Sequence, residues 1–130
     1  TAEPTDRNFW ETKRGTKQTV ALADRVCELA KPFAPTAELN YNKHYIGFTI
    51  EGRSLNPAVL RPRKSALNVD IRMPRTDEQD KILADSNLDI LGYDKGWGAY
   101  RIKLTKKDIE DNKILISNLL QQAFEQRRIG

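Results

Sequence analysis

Residues 67–73, LNVDIRM, alternate without interruption between apolar and polar side chains. A period of two is the spacing of a β-strand that has one face against a core and the other turned away from it. The predicted inward positions are Leu67, Val69, Ile71 and Met73, and the predicted outward positions are Asn68, Asp70 and Arg72. Such a strand needs strand neighbours and a covering layer, so the chain must build a sheet with one covered face.

Two pairs of segments predict β-hairpins. The first joins residues 38–42 to 45–50 across Lys43 and His44, and the second joins residues 89–93 to 99–104 through the turn DKGWG. In that turn, Gly96 and Gly98 can supply the positive φ that a tight reversal needs. The segment SLNPAVLRPRKS, residues 54–65, contains two prolines and is predicted as a bend or an edge, because proline cannot donate to a strand ladder.

Three helices are predicted from threonine caps and from apolar residues at helical spacing. They cover residues 16–31, 76–85 and 105–127, and their capping pairs are Thr16 with Thr19, Thr76 with Gln79 and Thr105 with Asp108. The resulting order is α-β-β-β-α-β-β-α. We therefore expect an α+β fold in which an antiparallel sheet of about five strands is covered by N- and C-terminal helices.

The domain organisation is predicted to be simple. Residues 1–15 are expected to be a flexible N-terminal segment, and residues 16–130 a single α+β domain. The first residue is threonine rather than methionine, and we therefore expect either a processed chain or, as the leading prediction, a domain excised from a longer protein. No apolar run approaches the roughly 18 residues of a membrane span. The single cysteine, Cys27, follows a core-facing helical pattern, so we expect a soluble, cytoplasmic protein without disulfides.

The residues for common catalytic chemistry are too few. A nucleophilic triad needs a histidine base, but the one histidine, His44, is placed at a hairpin turn and Cys27 faces the core. One cysteine and one histidine also cannot complete a zinc site. The acidic stretch 77–89 lacks the alternating ligands of a calcium loop, and Asp70 has no second acid beside it for a metal-dependent nuclease. We therefore expect no enzyme activity, no metal and no cofactor.

The charge is arranged in blocks. Residues 43–75 carry seven cations and two acids, residues 76–94 carry six acids and one cation, and residues 95–107 carry five cations and no acid. The net charge of +4 is modest by itself, but this distribution indicates a basic surface that is separate from an acidic one.

Basic and aromatic residues are interleaved in the basic blocks. The predicted nucleic-acid-binding residues are Lys43, Tyr45, Arg61, Arg63, Lys64, Trp97, Arg101 and Lys103. Arginine and lysine side chains pair with phosphates, and an aromatic ring beside them can stack on a base. The alternative is structural: Trp97 covers the edge of the sheet, the glycines only turn the chain, and the cations keep the domain soluble.

Four stretches resemble an uncharacterised bacterial and archaeal domain family. They are FWETKRG, ELNYNKHYIGF, LRPRKSALNVDIRM and YDKGWGAYRIKLTKKDIEDNKILISNLLQQAF, and the resemblance extends from Phe9 to Phe124. The family is often found at the C-terminal end of longer proteins, some labelled as predicted transport proteins and others linked to restriction or defence systems. The positions that it marks are Tyr41, Asn42, Lys43, Tyr45, Ile46, Gly47, Pro62, Lys64, Tyr93, Asp94, Tyr100 and Arg101. Related sequences often have a cation where this chain has Ala99.

The resemblance implies an accessory module rather than an enzyme. The leading hypothesis is a non-catalytic nucleic-acid-binding module, with DNA as the expected partner, in a larger defence or DNA-processing protein. The competing hypothesis is a docking or oligomerisation module, in which the acidic block of one molecule contacts the basic block of another protein or of a second copy. Neither hypothesis involves a membrane.

Overall fold

The computed structural model describes residues 5–129, which form one sheet with helices on one side. Within these residues the helices are α1 (Arg7–Phe9), a π-helical turn (Trp10–Arg14), α2 (Lys17–Ala30), α3 (Asp77–Asp85), α4 (Lys106–Asp111) and α5 (Lys113–Ile129). The strands are β1 (Glu38–Tyr41), β2 (Ile46–Ile50), β3 (Arg53–Ser54), β4 (Ala58–Pro62), β5 (Leu67–Arg72), β6 (Asp89–Asp94) and β7 (Ala99–Leu104). The α+β class and the antiparallel sheet are as predicted.

The sheet has the spatial order β1-β2-β4-β5-β7-β6, and β3 pairs with β2 outside this path. All of its strand pairs are antiparallel. The strand β5 lies in the middle, with β4 on one side and β7 on the other. Because antiparallel registers align side chains in rows across the sheet, the outward residues of β4, β5 and β7 lie next to one another.

One side of the sheet is covered by helices. The inward residues of β5 are all buried in the same core cluster as the apolar stripes of α2 and α5, which confirms the alternation seen in the sequence. The ring of Phe124 in α5 packs edge-to-face against Phe48 of β2, with the ring centroids 5.2 Å apart and an angle of 74° between the ring planes. The helix α3 reaches the same core through Leu83.

The predicted number of strands was wrong. The structure has seven strands rather than about five, and the element order differs accordingly. The added strands are the two-residue β3 and the central strand β4, which lies in the segment predicted as a bend or edge. Its two prolines flank the strand: Pro57 precedes it and Pro62 is its last residue, paired with Leu67 at the end of the ladder. Proline therefore limits the length of β4 without interrupting its hydrogen bonds.

The predicted helices are mostly confirmed. Helix α2 begins after Thr16, which forms a reciprocal capping box with Thr19, and α3 begins after Thr76, whose side chain accepts a hydrogen bond from the backbone of Gln79. The predicted C-terminal helix is divided into α4 and α5 at Asn112. Of the two turn glycines, Gly98 has a positive φ of 72°, whereas Gly96 is not among the residues with positive φ.

The N-terminal residues from Thr5 onward contact the rest of the domain through Trp10 and Arg7. Trp10 is only 1% exposed, and its indole nitrogen donates to the backbone oxygen of Asn42 at 2.8 Å. The guanidinium of Arg7 donates two hydrogen bonds to Asp24, at 2.8 and 2.6 Å. This segment is therefore anchored to α2 and to the turn after β1, while residues 1–4 lie outside the described residues.

Within residues 5–129, no helix combines the length and the apolar character that are needed to cross a bilayer.

Candidate nucleic-acid interface

The side of the sheet opposite the helices carries most of the predicted binding residues. We define the open face as the outward side of β4, β5 and β7, which consists of Val59, Arg61, Asn68, Asp70, Arg72, Ala99, Arg101 and Lys103. Val59 and Ala99 are buried but are not part of the core cluster formed with the helices. Their burial indicates that the longer side chains of the open face lie across its surface.

Three rows of side chains cross the open face. The first row aligns Arg61, Asn68 and Lys103, the second aligns Val59, Asp70 and Arg101, and the third contains Arg72 and Ala99. The rows place four cations and one carboxylate on three adjacent strands. The edge strand β6 adds Asp89 beside Lys103 and Asp94 beside Ala99. The positive charge is therefore strongest over β4, β5 and β7 and weakens towards β6.

Asp70 organises the centre of the open face. Its Oδ2 accepts a hydrogen bond from Nη1 of Arg61 at 2.6 Å, and its Oδ1 accepts one from Nε of Arg101 at 3.3 Å. The Asp70 side chain is 5% exposed, whereas those of Arg61 and Arg101 are 25% and 44% exposed. A buried carboxylate needs partners of opposite charge, and here it holds two guanidinium groups side by side with one positive charge in excess.

Arg72 lies at the end of the open face, against the predicted stacking residue. Its Cζ atom is 4.6 Å from the ring centroid of Trp97, a cation–π contact. Burial lowers the pKa of Arg72, and the positive charge of Arg127 lowers it further. One face of Trp97 is therefore already occupied by a side chain of the protein itself.

Tyr45 lies on the same side of the sheet, beside β2. Its hydroxyl accepts a hydrogen bond from Nδ2 of Asn56 at 3.4 Å, and Oδ1 of Asn56 accepts one from the backbone of Phe48 at 3.1 Å. These side chains fill the space in front of Gly47. A Cβ atom there would lie 2.3 Å from Oδ1 of Asn56 and 3.2 Å from the Tyr45 ring, so this position requires glycine.

The structure brings only some of the predicted site residues together. Arg61, Arg101 and Lys103 share the open face, while Trp97 contacts Arg72 at the end of the face that is formed by the β6–β7 turn. The remaining cations Lys43, Arg63 and Lys64 are exposed at the opposite end of the sheet, in the β1–β2 and β4–β5 turns. The ammonium of Lys64 donates to the backbone oxygen of Gly15 at 3.1 Å, which ties it to the N-terminal segment.

Sequence analysis missed two residues that shape this surface. Asp70 was placed outward, but nothing in the pattern indicated that two arginines would bury it. Arg72 has the same outward parity as Asp70, and this parity was the signal that could have added it to the site.

No group of three or more metal-binding side chains occurs within the part of the chain that the structure describes. No protein-family model, curated protein or solved structure matches the chain. The resemblance to the C-terminal domain family therefore stays a prediction.

Proposed function

We propose that the chain is a non-catalytic module that binds the phosphate backbone of nucleic acid, with DNA as the expected partner, through the open face. The observation that carries this proposal is the arrangement around Asp70. One buried carboxylate holds Arg61 and Arg101 next to each other on a side of the sheet that bears no described helix. Arginines that are positioned before the ligand arrives lose less side-chain entropy when they bind phosphates.

The other cations suggest a direction for the bound strand. The second row contributes Arg101, and the first row, next to it, contributes Arg61 and Lys103. The turns beyond the first row carry Lys43 and Arg63. The acids of β6 would repel phosphates on the other side. Tyr45 lies beside this path with an aromatic ring available for stacking, as in proteins that bind single strands on a sheet. The role as an accessory part of a longer defence protein follows from the predicted resemblance alone.

Binding of a labelled oligonucleotide at several salt concentrations tests this proposal. We expect the triple variant Arg61→Gln/Asp70→Asn/Arg101→Gln to bind more weakly and with a shallower salt dependence. The change of Asp70 is included so that no unpaired carboxylate remains buried. Each lost phosphate contact removes about 0.7 from the slope of log K against log salt for a single strand and about 0.9 for a duplex, so the loss of two contacts should decrease the slope by about 1.4 or about 1.8.

The matched control is Lys81→Gln, which removes the same net charge as the triple variant. Lys81 lies on α3, on the helical side of the sheet, and forms an exposed pair with Asp85. The control should keep the wild-type slope. If the control and the triple variant lose affinity equally, binding depends on the net charge rather than on the open face, and the proposal is wrong.

A docking role has one specific observation in its favour. The acidic helix α3 lies on the helical side of the sheet, because Leu83 joins the core and Oδ1 of Asp80 accepts a hydrogen bond from Tyr100 at 2.7 Å. Its acids therefore cannot neutralise the open face of the same molecule, but they could contact the open face of a second copy. Light scattering at low and high salt, without nucleic acid, would detect this association as a mass that decreases as salt increases.

A further inference from the structure

The strand β6 ends the sheet on one side, and its outer edge is open. Its inner side pairs with β7, and within residues 5–129 no backbone hydrogen bond joins its outer side to another strand. At Gly92, in the middle of β6, no described atom beyond the chain neighbours lies within 4 Å of the position that a Cβ would take. A strand edge that has unpaired N–H and C=O groups and an accessible backbone can accept an added strand.

A cavity of about 230 Å³ lies beside this edge, on the helical side of the sheet. The helix α3 contributes Leu83 and Ala84 to its lining, and β6 contributes Ile90 and Tyr93. Sites for drug-sized molecules start at about 300 Å³, so this cavity suits a single apolar side chain. Because side chains alternate between the two faces of a strand, every second residue of a strand added to β6 would turn towards the cavity.

The groove between α3 and β6 is acidic. Residues 76–94 carry six acids and one cation. Asp80 pairs with Arg75, and Asp85 pairs with Lys81. The remaining four acids form no ion pair with a described cation, and they lie in the first turn of α3 and at the two ends of β6: Asp77, Glu78, Asp89 and Asp94. A partner that carries positive charge on both sides of an apolar residue is therefore complementary to this groove.

A second copy of the chain fits this edge less well than a short basic segment does. Antiparallel pairing of β6 with β6 of a second copy along the full strand would place Asp89 of each molecule opposite Asp94 of the other. Like charges opposite each other destabilise strand pairs. The register with β7 also shifts between Ile90 and Gly92, which is a bulge that bends the strand. A short segment can follow this bend, whereas a long flat strand cannot.

We propose that β6 and the adjacent cavity bind an extended segment of another protein in which one apolar residue lies between lysines or arginines. The segment adds to the sheet as a strand, and its backbone pairs with the outer groups of β6. Its apolar residue enters the cavity between α3 and β6, and its cations contact the four acids that have no described partner. The site uses the edge and the helical side of the sheet, so it does not rest on nucleic-acid binding by the open face.

Fluorescence anisotropy with the labelled peptide Lys-Thr-Val-Lys-Leu-Lys-Val-Thr-Lys tests this site. We expect saturable binding to wild type. Replacing the central leucine by alanine should weaken binding by at least about tenfold, because buried apolar area is lost. Replacing the lysines by glutamates should abolish binding. Two further peptides carry methyl groups on alternate backbone nitrogens, one peptide in each phase, and only the phase whose nitrogens face β6 should lose binding.

The variant Ala84→Leu tests the cavity from the protein side. It fills the cavity from an exposed position of α3 and introduces a good helix former, so the fold should be retained. In this variant the peptides with a central leucine and a central alanine should bind equally. The matched control is Ala21→Leu, the same change at an exposed position of α2, and it should keep the difference between the two peptides. Asp89→Lys should weaken binding of the basic peptide by about threefold, as expected for an exposed charge pair.

Three results with the peptides would overturn the proposal. They are the absence of saturable binding to wild type, equal affinity for the two methylated peptides, and an unchanged difference between the leucine and alanine peptides in Ala84→Leu. A two-chain mass in light scattering that Asp89→Lys stabilises would assign the edge to a second copy and would also overturn it. The triple variant at Arg61, Asp70 and Arg101 should bind the peptide as wild type does. Failure of the peptide site therefore leaves the nucleic-acid test unaffected, and the reverse also holds.

Discussion

The centre and the end of the open face hold arginines in opposite electrostatic situations. At the centre, Arg61 and Arg101 share the carboxylate of Asp70, with bonds of 2.6 and 3.3 Å. At the end, Arg72 stacks on Trp97 and is affected by the charge of Arg127, and no described carboxylate contacts either arginine.

The difference shows that an acid fixes the position of a cation while reducing its charge. The paired arginines are held in place and retain one net positive charge, which suits weak contacts that are repeated along a strand. Arg72 contacts no described acid and therefore keeps its full charge, and its Nε donor has no acceptor among the described residues. The centre of the open face therefore has arginines that are fixed in position, whereas its end has an arginine whose charge no described acid offsets.

The largest effect is expected from removal of the central acid. Asp70→Asn keeps the shape of the side chain but leaves Arg61 and Arg101 without a counter-charge. We expect the free energy of unfolding to decrease by about 2 kcal/mol, less than for a fully enclosed pair because both arginines reach solvent. Urea denaturation monitored by circular dichroism measures this change.

An exposed acid provides the control for Asp70→Asn. Asp85 pairs with Lys81 on the surface of α3, where both side chains are more than half exposed. Asp85→Asn should change stability by less than about 0.5 kcal/mol, as is usual for such pairs. Equal effects of the two substitutions would show that burial of Asp70 does not distinguish the centre of the open face.

The fold was largely predictable because its signals are local. Alternation in β5, the hairpin segments and the threonine caps each depend on neighbouring residues, and all of them are found in the structure. The strand β4 was missed because its two prolines were taken to exclude a central strand anywhere in the segment. In the structure they lie at the ends of the strand, where they do not interrupt its ladder. The anchoring of Trp10 was missed because its partner, Asn42, is distant in the sequence.

The candidate site was predictable in its residue types but not in its pairing. Arg61, Arg101 and Lys103 were predicted as binding residues from their charge and their neighbours in the sequence, and the register places them on one side of the sheet. Whether a cation is paired depends on which strands are adjacent, and β4 had not been recognised as a neighbour of β5.

The smallest effect is expected from a third cluster, which like the centre of the open face has one acid between two cations but is exposed to solvent. The carboxylate of Glu110 on α4 contacts Arg25 at 3.0 Å and Lys113 at 3.0 Å, so it also is one acid between two cations. Hydrogen bonds from Arg25 and then Lys113 lower the pKa of Glu110 from its usual 4.5 to about 2. Its stabilising contribution should thus be fully present above pH 4.5 and be lost as the pH falls through 2.

Thermal unfolding of Glu110→Gln between neutral pH and pH 2 measures this contribution, since the difference from wild type should be small at neutral pH and should shrink further towards the acid end. Solvent screens charges at this exposed position, so the effect should be smaller than that of Asp70→Asn. If Glu110→Gln destabilises the protein as much as Asp70→Asn does, then an acid between two cations contributes the same stability whether it is exposed or buried. The burial of Asp70 would then no longer explain why the centre of the open face is ordered.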